Sequence, residues 1–205
     1  MAIDAETEPD GQERTVVVVL AGGAGSRFVG PGHKLTTAVD GRSVAERSVM
    51  SACAAAVGPV VVVTGAVDLS LPGHIEVHVV HNPDWAQGQS TSLRVGIAEA
   101  ERLGADAIVV GLADQPFIDP DAWRRVAATT SPIAVATYDG QRRNPVRLHR
   151  DVWSLLPASG DEGARSLIRL RPDLVHEVPC PGSPADIDTL EDLRTWQNRS
   201  STNSP

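Results

Sequence analysis

Short apolar runs alternate along this chain with segments whose apolar residues recur at helical spacing. Four of the runs contain no charged residue, at positions 16–20, 60–64, 108–111 and 133–137. A parallel strand covered on both faces is continuously apolar, and strands that alternate with helices form βαβ units. The pattern therefore predicts one α/β domain with a mostly parallel central sheet and helices on both faces. Residues 75–80 alternate less cleanly, which favours a strand nearer the edge of the sheet.

Capping signals mark several helix starts. SVAE at residues 43–46 and TLED at residues 189–192 fit the capping box, and DPDAW offers Asp119 as an N-cap with Pro120 in the first turn. Together with the apolar spacing, these signals predict helices near residues 43–56, 90–103, 120–129, 162–170 and 189–197.

Length and charge narrow the possible classes of protein. A chain of 205 residues has the size of one ordinary domain, expected at residues 15–197, between an acidic tail at 1–14 and a polar tail at 198–205. The net charge of -8 repels a polyanion and argues against a nucleic-acid partner. No window reaches the roughly 18 apolar residues of a membrane span. A soluble, cytoplasmic protein without membrane association is predicted.

The first apolar run leads directly into a glycine-rich loop, in the sequence VVVVLAGGAGSRFVGPGHKL at residues 16–35. Glycines leave backbone N–H groups free to face an anion. The P-loop pattern fails because a Pro-Gly pair stands where lysine and a hydroxyl residue are needed, and Phe28 occupies the third glycine position of the dinucleotide fingerprint. The loop is predicted to hold a nucleoside triphosphate, with Arg27 and Lys34 neutralising the departing pyrophosphate. A flexible surface loop with two solvated cations is the alternative.

Three aspartates are candidates for a metal site. Asp114 follows a buried strand, at the edge where open α/β sheets bind ligands. Asp186 and Asp188 lie on one side of an extended segment. Because Mg²⁺ prefers one or two carboxylates together with phosphate oxygens, these residues could form a clamp drawn from distant parts of the sequence. The alternatives are a plain turn residue at Asp114 and a turn cap at Asp186.

Two further segments offer polar contacts. The hydroxyl residues 90–92 open a predicted helix and can cap it or read a base edge and ribose, with self-capping favoured for Ser90. Arg165 is expected in the first turn of a helix, where the helix dipole disfavours a cation unless an anion is near. Arg165 is therefore a candidate contact for an acceptor substrate. Arg142 and Arg143 either add to that contact or are solvated loop charges.

Five motifs in order resemble those of one known family. The segments LAGGAGSRF…HKL, NPDWAQGQSTSLRVGI, GLADQPFI, GDEGAR and DIDTLEDL are similar to those of the MobA-like NTP transferases, and within them to the molybdenum cofactor cytidylyltransferases. The resemblance spans roughly residues 16–196. It implies a Rossmann-like nucleotidyltransferase domain that moves CMP or GMP from CTP or GTP onto the terminal phosphate of a molybdopterin-type cofactor, with Mg²⁺, releasing pyrophosphate. A molybdenum hydroxylase apoenzyme is the implied protein partner.

The resemblance also implies a role for each matching residue. Arg27, Lys34 and Asp114 would be catalytic, Asp114 and Asp188 would bind Mg²⁺, and Asp186 would support them on the acceptor side together with Arg165. The nucleotide would be bound by Leu20, Ala21, Gly22 and Gly23 at the base and ribose, by Gly25, Ser26, Arg27 and Lys34 at the triphosphate, by Ser92 at the nucleoside, and by Asp114.

Three departures from the family pattern leave several possibilities open. Lys34 follows Arg27 by seven residues where five are usual, and Phe28 replaces a methionine. The LAGG sequence is similar to that of guanylyl-transferring relatives, so the choice between CTP and GTP stays open. RNP at residues 143–145 stands where GHP is usual. The alternative functions are transfer to another phosphorylated metabolite, such as a phospholactate or a sugar phosphate, a non-catalytic carrier of the cofactor, and a disfavoured oxidoreductase.

Overall fold

A seven-stranded, mostly parallel sheet forms the centre of the computed structural model, which describes residues 13–29, 32–39, 41–189 and 191–195. Its strands are β1 (Thr15–Ala21), β4 (Val60–Thr64), β5 (His78–His81), β6 (Ala107–Leu112), β7 (Ile133–Tyr138), β8 (Gln141–His149) and β9 (Val175–Pro179). The strand order is β5-β4-β1-β6-β8-β7-β9, and β8 alone in this sheet runs antiparallel to its neighbours, β6 and β7. A separate hairpin joins β2 (Ala38–Val39) to β3 (Arg42–Ser43).

Helices cover both faces of the sheet. They are α1 (Val44–Ala54), α2 (Gln89–Arg102), α3 (Pro120–Ala127) and α4 (Arg165–Leu170). Val17 and Val19 of β1 pack into the cluster that contains α1 and α3, whereas Val16 and Val18 pack into the cluster that contains α2. Successive strand residues face opposite sides, so this run of valines is buried throughout. The predicted fold class is confirmed.

The four predicted central strands are confirmed, with ends that differ by one residue at most. The strand expected at 75–80 is His78–His81, and it lies at the edge of the sheet as predicted. The helix expected from residue 162 begins at Arg165, because residues 161–164 form turns. At the C-terminal end, residues 191–195 are helical, while the rest of the predicted 189–197 lies partly outside the described residues.

Local hydrogen bonds explain where the helices begin. Ser43 caps α1 by accepting from the Glu46 N–H, and Asp119 caps α3 by accepting from the Asp121 N–H. Thr189 and Asp192 form a reciprocal pair, in which each side chain accepts from the other residue's N–H. The three capping signals read from the sequence are therefore confirmed.

The ends of the chain limit what can be said of the predicted tails. Residues 1–12 and 196–205 lie outside the described residues, so the tails at 1–14 and 198–205 stay predictions. Glu13 and Arg14 are described, and both contact the domain: Glu13 pairs with the fully buried Arg147, and the Arg14 N–H donates to Asp106. Among the described residues, no helix has the length and apolarity that crossing a bilayer requires.

Gly111 provides a test of the packing between β6 and α3. A Cβ at this position would lie 2.4 Å from Trp123 Cη2, and Trp123 is 1% exposed. Because the indole has no room to move away, Gly111→Ala is expected to lower the free energy of unfolding by about 1–3 kcal/mol. Urea unfolding measures this, with Gly73→Ala as the control because a Cβ there meets nothing within 4 Å. Equal stability of the two variants would contradict the packing.

Candidate active site

A cavity of about 560 Å³ opens at the carboxyl ends of β1 and β6. This is where ligands bind in open α/β sheets, at the point where the strand order changes direction. Every residue to which the family resemblance gives a role lines this one cavity. They are Leu20, Ala21, Gly22, Gly23, Gly25, Ser26, Arg27, Lys34, Ser92, Asp114, Arg165, Asp186 and Asp188.

The glycine-rich loop is anchored on both sides of its tip. Gly25 has a φ of +62°, a backbone conformation that residues other than glycine rarely adopt. The Gly25 carbonyl accepts a hydrogen bond from the N–H of the buried Phe28. His33 Nδ1 accepts from the Leu35 N–H, which leaves Nε2 to donate to the Gly23 carbonyl at 3.0 Å. These contacts fix the direction in which the loop faces the cavity.

Lys34 joins the loop to two of the aspartates. Its Nζ donates to Asp114 Oδ2 at 2.6 Å and to Asp188 Oδ1 at 2.9 Å. Arg27 contacts the second oxygen of Asp188, at 3.0 Å, and its side chain is 77% exposed. Despite the two additional loop residues, Lys34 reaches the centre of the cluster and is itself buried.

The charges in this cluster balance one another. Burial on its own would lower the pKa of Lys34, but the Asp114 and Asp188 carboxylates outweigh burial and raise it. Lys34 therefore stays protonated throughout the neutral range. The two carboxylates face two cations, Lys34 and Arg27, which are the charges expected of a site that receives a polyanion.

The aspartate pair fits a divalent cation. Asp114 Oδ1 is buried and has no hydrogen-bond partner among the described residues, so one lone-pair site faces no protein donor. In the part of the chain that the structure describes, no group of three or more His, Cys, Asp or Glu side chains could hold a metal. Two carboxylates are sufficient for Mg²⁺ when phosphate oxygens and water supply the other ligands. Asp114 and Asp188 are therefore the residues that could hold it.

Asp186 is held in place by a chain of two side-chain amides. Gln115 Nε2 donates to Asp186 Oδ1 at 2.6 Å, and Asn144 Nδ2 donates to Gln115 Oε1 at 3.0 Å. Partial desolvation and the neighbouring Asp114 carboxylate raise the pKa of Asp186, and the hydrogen bond from Gln115 only partly opposes them. Gln115 itself is buried, with 4% of its surface exposed. Its role in the site was not predicted from the sequence, because a glutamine in a turn carries no distinctive signal.

The start of α2 forms another wall of the cavity. Asn82 Nδ2 donates to Ser92 Oγ at 2.9 Å, which fixes the serine next to the glycine-rich loop. The expectation that Ser90 caps its own helix is wrong: Gly88 is the N-cap residue, and the Ser90 hydroxyl is buried without a partner among the described residues. The Ser90 N–H instead donates to the Gly160 carbonyl, which ties α2 to the loop before α4.

A second cavity, of about 710 Å³, adjoins the first and shares Arg165 and Asp186 with it. Its cations include Arg142, which pairs with Glu177, and Arg143. Neither Arg143 nor Arg165 forms an ion pair within the described ranges. Apolar side chains and the amides of the Gln115 chain complete the wall, so this cleft suits an anionic molecule with an apolar body. Its remaining lining residues are Val135, Asn144, Val146, Ile168, Arg169 and Pro172.

Comparison with known proteins identifies the family of this chain. A profile of the MobA-like NTP transferase domain matches residues 17–178, which hold most of β1, all of β2 to β8 and most of β9. The chain belongs to the MobA-like NTP transferase family.

Relatives of this MobA-like transferase cover nearly the whole chain. Purine catabolism protein PucB of Bacillus subtilis (strain 168) is 32% identical over 192 residues, which cover 85% of this chain and 92% of PucB. Nicotine blue oxidoreductase of Paenarthrobacter nicotinovorans is 29% identical over 192 residues, covering 86% of this chain and 93% of that protein. The structure of a nucleotidyl transferase from Methanothermobacter thermautotroptrophicus superposes with a TM-score of 0.76 at 26% identity, covering 94% of this chain and 100% of that one.

Trp85 lines the cavity that contains the glycine-rich loop, although the sequence motifs assign it no role. Trp123 and Trp153 are buried in the core, on opposite faces of the sheet. Binding of a nucleoside triphosphate is therefore expected to change the intrinsic fluorescence through Trp85, and Trp85→Phe should remove most of that change. Titration with CTP and with GTP in the presence of Mg²⁺ measures it, with Trp153→Phe as the control that retains the response. An unaltered response in Trp85→Phe would place the nucleotide elsewhere.

Proposed function

We propose that this MobA-like transferase moves CMP or GMP from the corresponding nucleoside triphosphate onto the terminal phosphate of a molybdopterin-type molybdenum cofactor, releasing pyrophosphate. The observation that carries the proposal is the convergence of Arg27, Lys34, Asp114 and Asp188 on one cavity that opens into a second, cationic cleft. One cavity has the charges to hold a triphosphate, and the other has the charges to hold an anionic acceptor.

The nucleotide is assigned along the glycine-rich loop. The backbone of residues 20–23 faces the base and ribose, and Ser92 contacts the nucleoside from α2. Gly25 and Ser26 place backbone N–H groups near the phosphates, where no long side chain blocks the approach. Arg27 and Lys34 then neutralise the two phosphates that leave. This assignment rests on the family resemblance, and the position of all these residues around one cavity supports it.

The chemistry is a displacement at the α-phosphorus. A phosphate oxygen of the acceptor forms the new P–O bond, and the bond to the bridging α–β oxygen breaks, so that pyrophosphate carries away the electron pair. The attacking oxygen is already anionic, and no general base is needed. Holding the two reactants in line lowers the barrier by about 7–11 kcal/mol in well-oriented systems. Mg²⁺ bound by Asp114 and Asp188 would neutralise phosphate charge.

The acceptor is assigned to the second cleft. Neither Arg143 nor Arg165 forms an ion pair among the described residues, although Arg165 is near enough to Glu162 to help lower the pKa of that carboxyl and Arg143 donates to the Arg142 carbonyl. Both guanidinium groups line the cleft and can contact an anion there. Arg165 and Asp186 line both cavities, so they lie where the acceptor phosphate meets the nucleotide. A molybdenum hydroxylase apoenzyme is the protein partner that this product would serve.

Oxidoreduction is the second candidate, favoured by the name of the 29% identical relative, nicotine blue oxidoreductase. The glycine-rich loop argues against it, because Phe28 occupies the third position of the dinucleotide fingerprint and packs into the core. A transferase that acts on another phosphorylated metabolite and a cofactor carrier without activity complete the set of candidate functions.

One nucleotide screen separates these functions. The protein is incubated with Mg²⁺ and each of CTP, GTP, ATP and UTP, and with molybdenum cofactor, a sugar phosphate or phospholactate as the acceptor. Pyrophosphate release is followed together with the mass of the product, and parallel incubations measure binding of the cofactor and oxidation of NADH. We expect release with CTP or GTP and a dinucleotide form of the cofactor. Release only with a sugar phosphate or phospholactate would change the acceptor, binding of the cofactor without release would indicate a carrier, and NADH oxidation would favour the oxidoreductase.

Asp114→Ala is expected to abolish pyrophosphate release, because the Mg²⁺ that accompanies the triphosphate loses one of its protein ligands. Circular dichroism should show that the variant stays folded. Asp121→Ala, an aspartate on the surface of α3, serves as the control and should retain the wild-type rate. Near-normal turnover of Asp114→Ala would remove Asp114 from the mechanism.

Arg143 tests the assignment of the acceptor cleft, because it lines the second cavity and not the first. Arg143→Ala is expected to raise the KM for the acceptor by about tenfold, the loss of one charge-assisted contact, and to leave the KM for the nucleotide unchanged. Arg171→Ala is the matched control, since Arg171 pairs with Asp173 outside the cleft. An unchanged acceptor KM in Arg143→Ala would contradict the assignment.

A further inference from the structure

The ammonium group of Lys34 occupies the place between two aspartates where a metal ion would bind. Its ammonium lies 2.6 Å from an oxygen of Asp114 and 2.9 Å from an oxygen of Asp188, the two carboxylates that could bind the divalent cation. Arg27 takes the other oxygen of Asp188 at 3.0 Å. Three of the four carboxylate oxygens therefore face a protein cation, and only Asp114 Oδ1 has no donor within the described part of the chain.

A divalent cation and the Lys34 ammonium compete for the same oxygens. They carry like charges and cannot share this cluster without strong repulsion unless added negative charge separates them. A triphosphate or pyrophosphate supplies that charge, because its oxygens are alternative acceptors for Lys34 and Arg27. An anion that draws the two cations away would leave the carboxylates open to the metal.

The identity of the residue supports such an exchange. The sequence has 18 lysine and arginine residues. Lys34 is the one lysine, and the other 17 are arginines. A lysine ammonium is a compact charge on a flexible four-carbon stem, whereas an arginine fork binds a carboxylate in a fixed planar geometry. A position that must release two carboxylates and take up a phosphate suits a lysine better than an arginine.

We propose that Lys34 couples the binding of metal and nucleotide: without a polyphosphate its ammonium keeps Asp114 and Asp188 closed to divalent cations, and the polyphosphate opens them by drawing the ammonium away. The proposal rests on the nucleotide site assigned under the proposed function. It predicts weak metal binding to the free protein and strong mutual enhancement of metal and polyphosphate. By linkage, each ligand raises the affinity for the other by the same factor.

Binding of Mn²⁺ to the protein, followed by electron paramagnetic resonance, tests the coupling without any turnover. Lys34→Gln is expected to bind free Mn²⁺ at least about fivefold more tightly than the wild type, the lower end of common coupling factors. Pyrophosphate should enhance Mn²⁺ binding to the wild type and have a much smaller effect on Lys34→Gln. Arg42→Gln, which removes a surface cation paired with Glu46, is the control and should behave as the wild type.

Equal or weaker binding of free Mn²⁺ by folded Lys34→Gln would overturn the proposal. Should that variant not fold, the wild type decides: labelling with ¹³C,¹⁵N-lysine gives one side-chain ¹⁵N signal, that of the Lys34 ammonium. That signal should shift on adding pyrophosphate with Mg²⁺ and stay in place with Mg²⁺ alone at the same concentration. A shift with Mg²⁺ alone, equal to that with both, would contradict the coupling. Coupling without nucleotidyl transfer would refute the proposed function and leave this inference standing.

Discussion

The ammonium of Lys34 is the point at which three distant parts of the chain meet. It binds Asp114, 80 residues further along, and Asp188, 154 residues further along. Without the ammonium, the two largely buried carboxylates that contact it would repel each other, and each has lost part of its solvation. A buried cation that donates to both removes this cost, so the arrangement of the whole cavity depends on Lys34. Arg27 completes the balance from the exposed side.

The sheet explains why these segments can meet. β1 and β6 are neighbours and run parallel, so the glycine-rich loop and Asp114 emerge at the same edge. The Ile187 N–H donates to the Asp114 carbonyl, which brings Asp186 and Asp188 to that edge from near the C-terminus. The reversed strand β8 places Arg143 and Asn144 beside them, and the acceptor cleft is built from this second part of the sheet.

Secondary structure was predicted most accurately from the sequence where a segment is buried on both faces. The valines of β1 and β4 are covered on both faces, so their strands could be placed to within a residue. β8 and β9 were not placed, because QRRNPVRLH begins with exposed polar residues and VHEVP lies largely exposed at the sheet edge. The cavity residues were found through their motifs, whereas Gln115 was missed because its role depends on Asn144 and Asp186, which are distant in sequence.

The wrong expectation for Ser90 has the same physical origin. A hydroxyl at a helix start is a good cap by local rules, but the tertiary bond from the Ser90 N–H to the Gly160 carbonyl fixes that turn, and Gly88 takes the capping position. Local preferences predict an element when nothing distant competes with them. Where two segments share a hydrogen bond, only the folded chain decides.

The most direct test of this account is a crystal structure of the protein with Mn²⁺ and the α,β-methylene analogue of the nucleotide that the screen selects. Anomalous scattering locates the ion without any assumption about its ligands. The account predicts one Mn²⁺ bound by Asp114 and Asp188, with Lys34 Nζ on a phosphate oxygen. An ion bound elsewhere, with both Lys34 ion pairs intact beside the bound nucleotide, would contradict it.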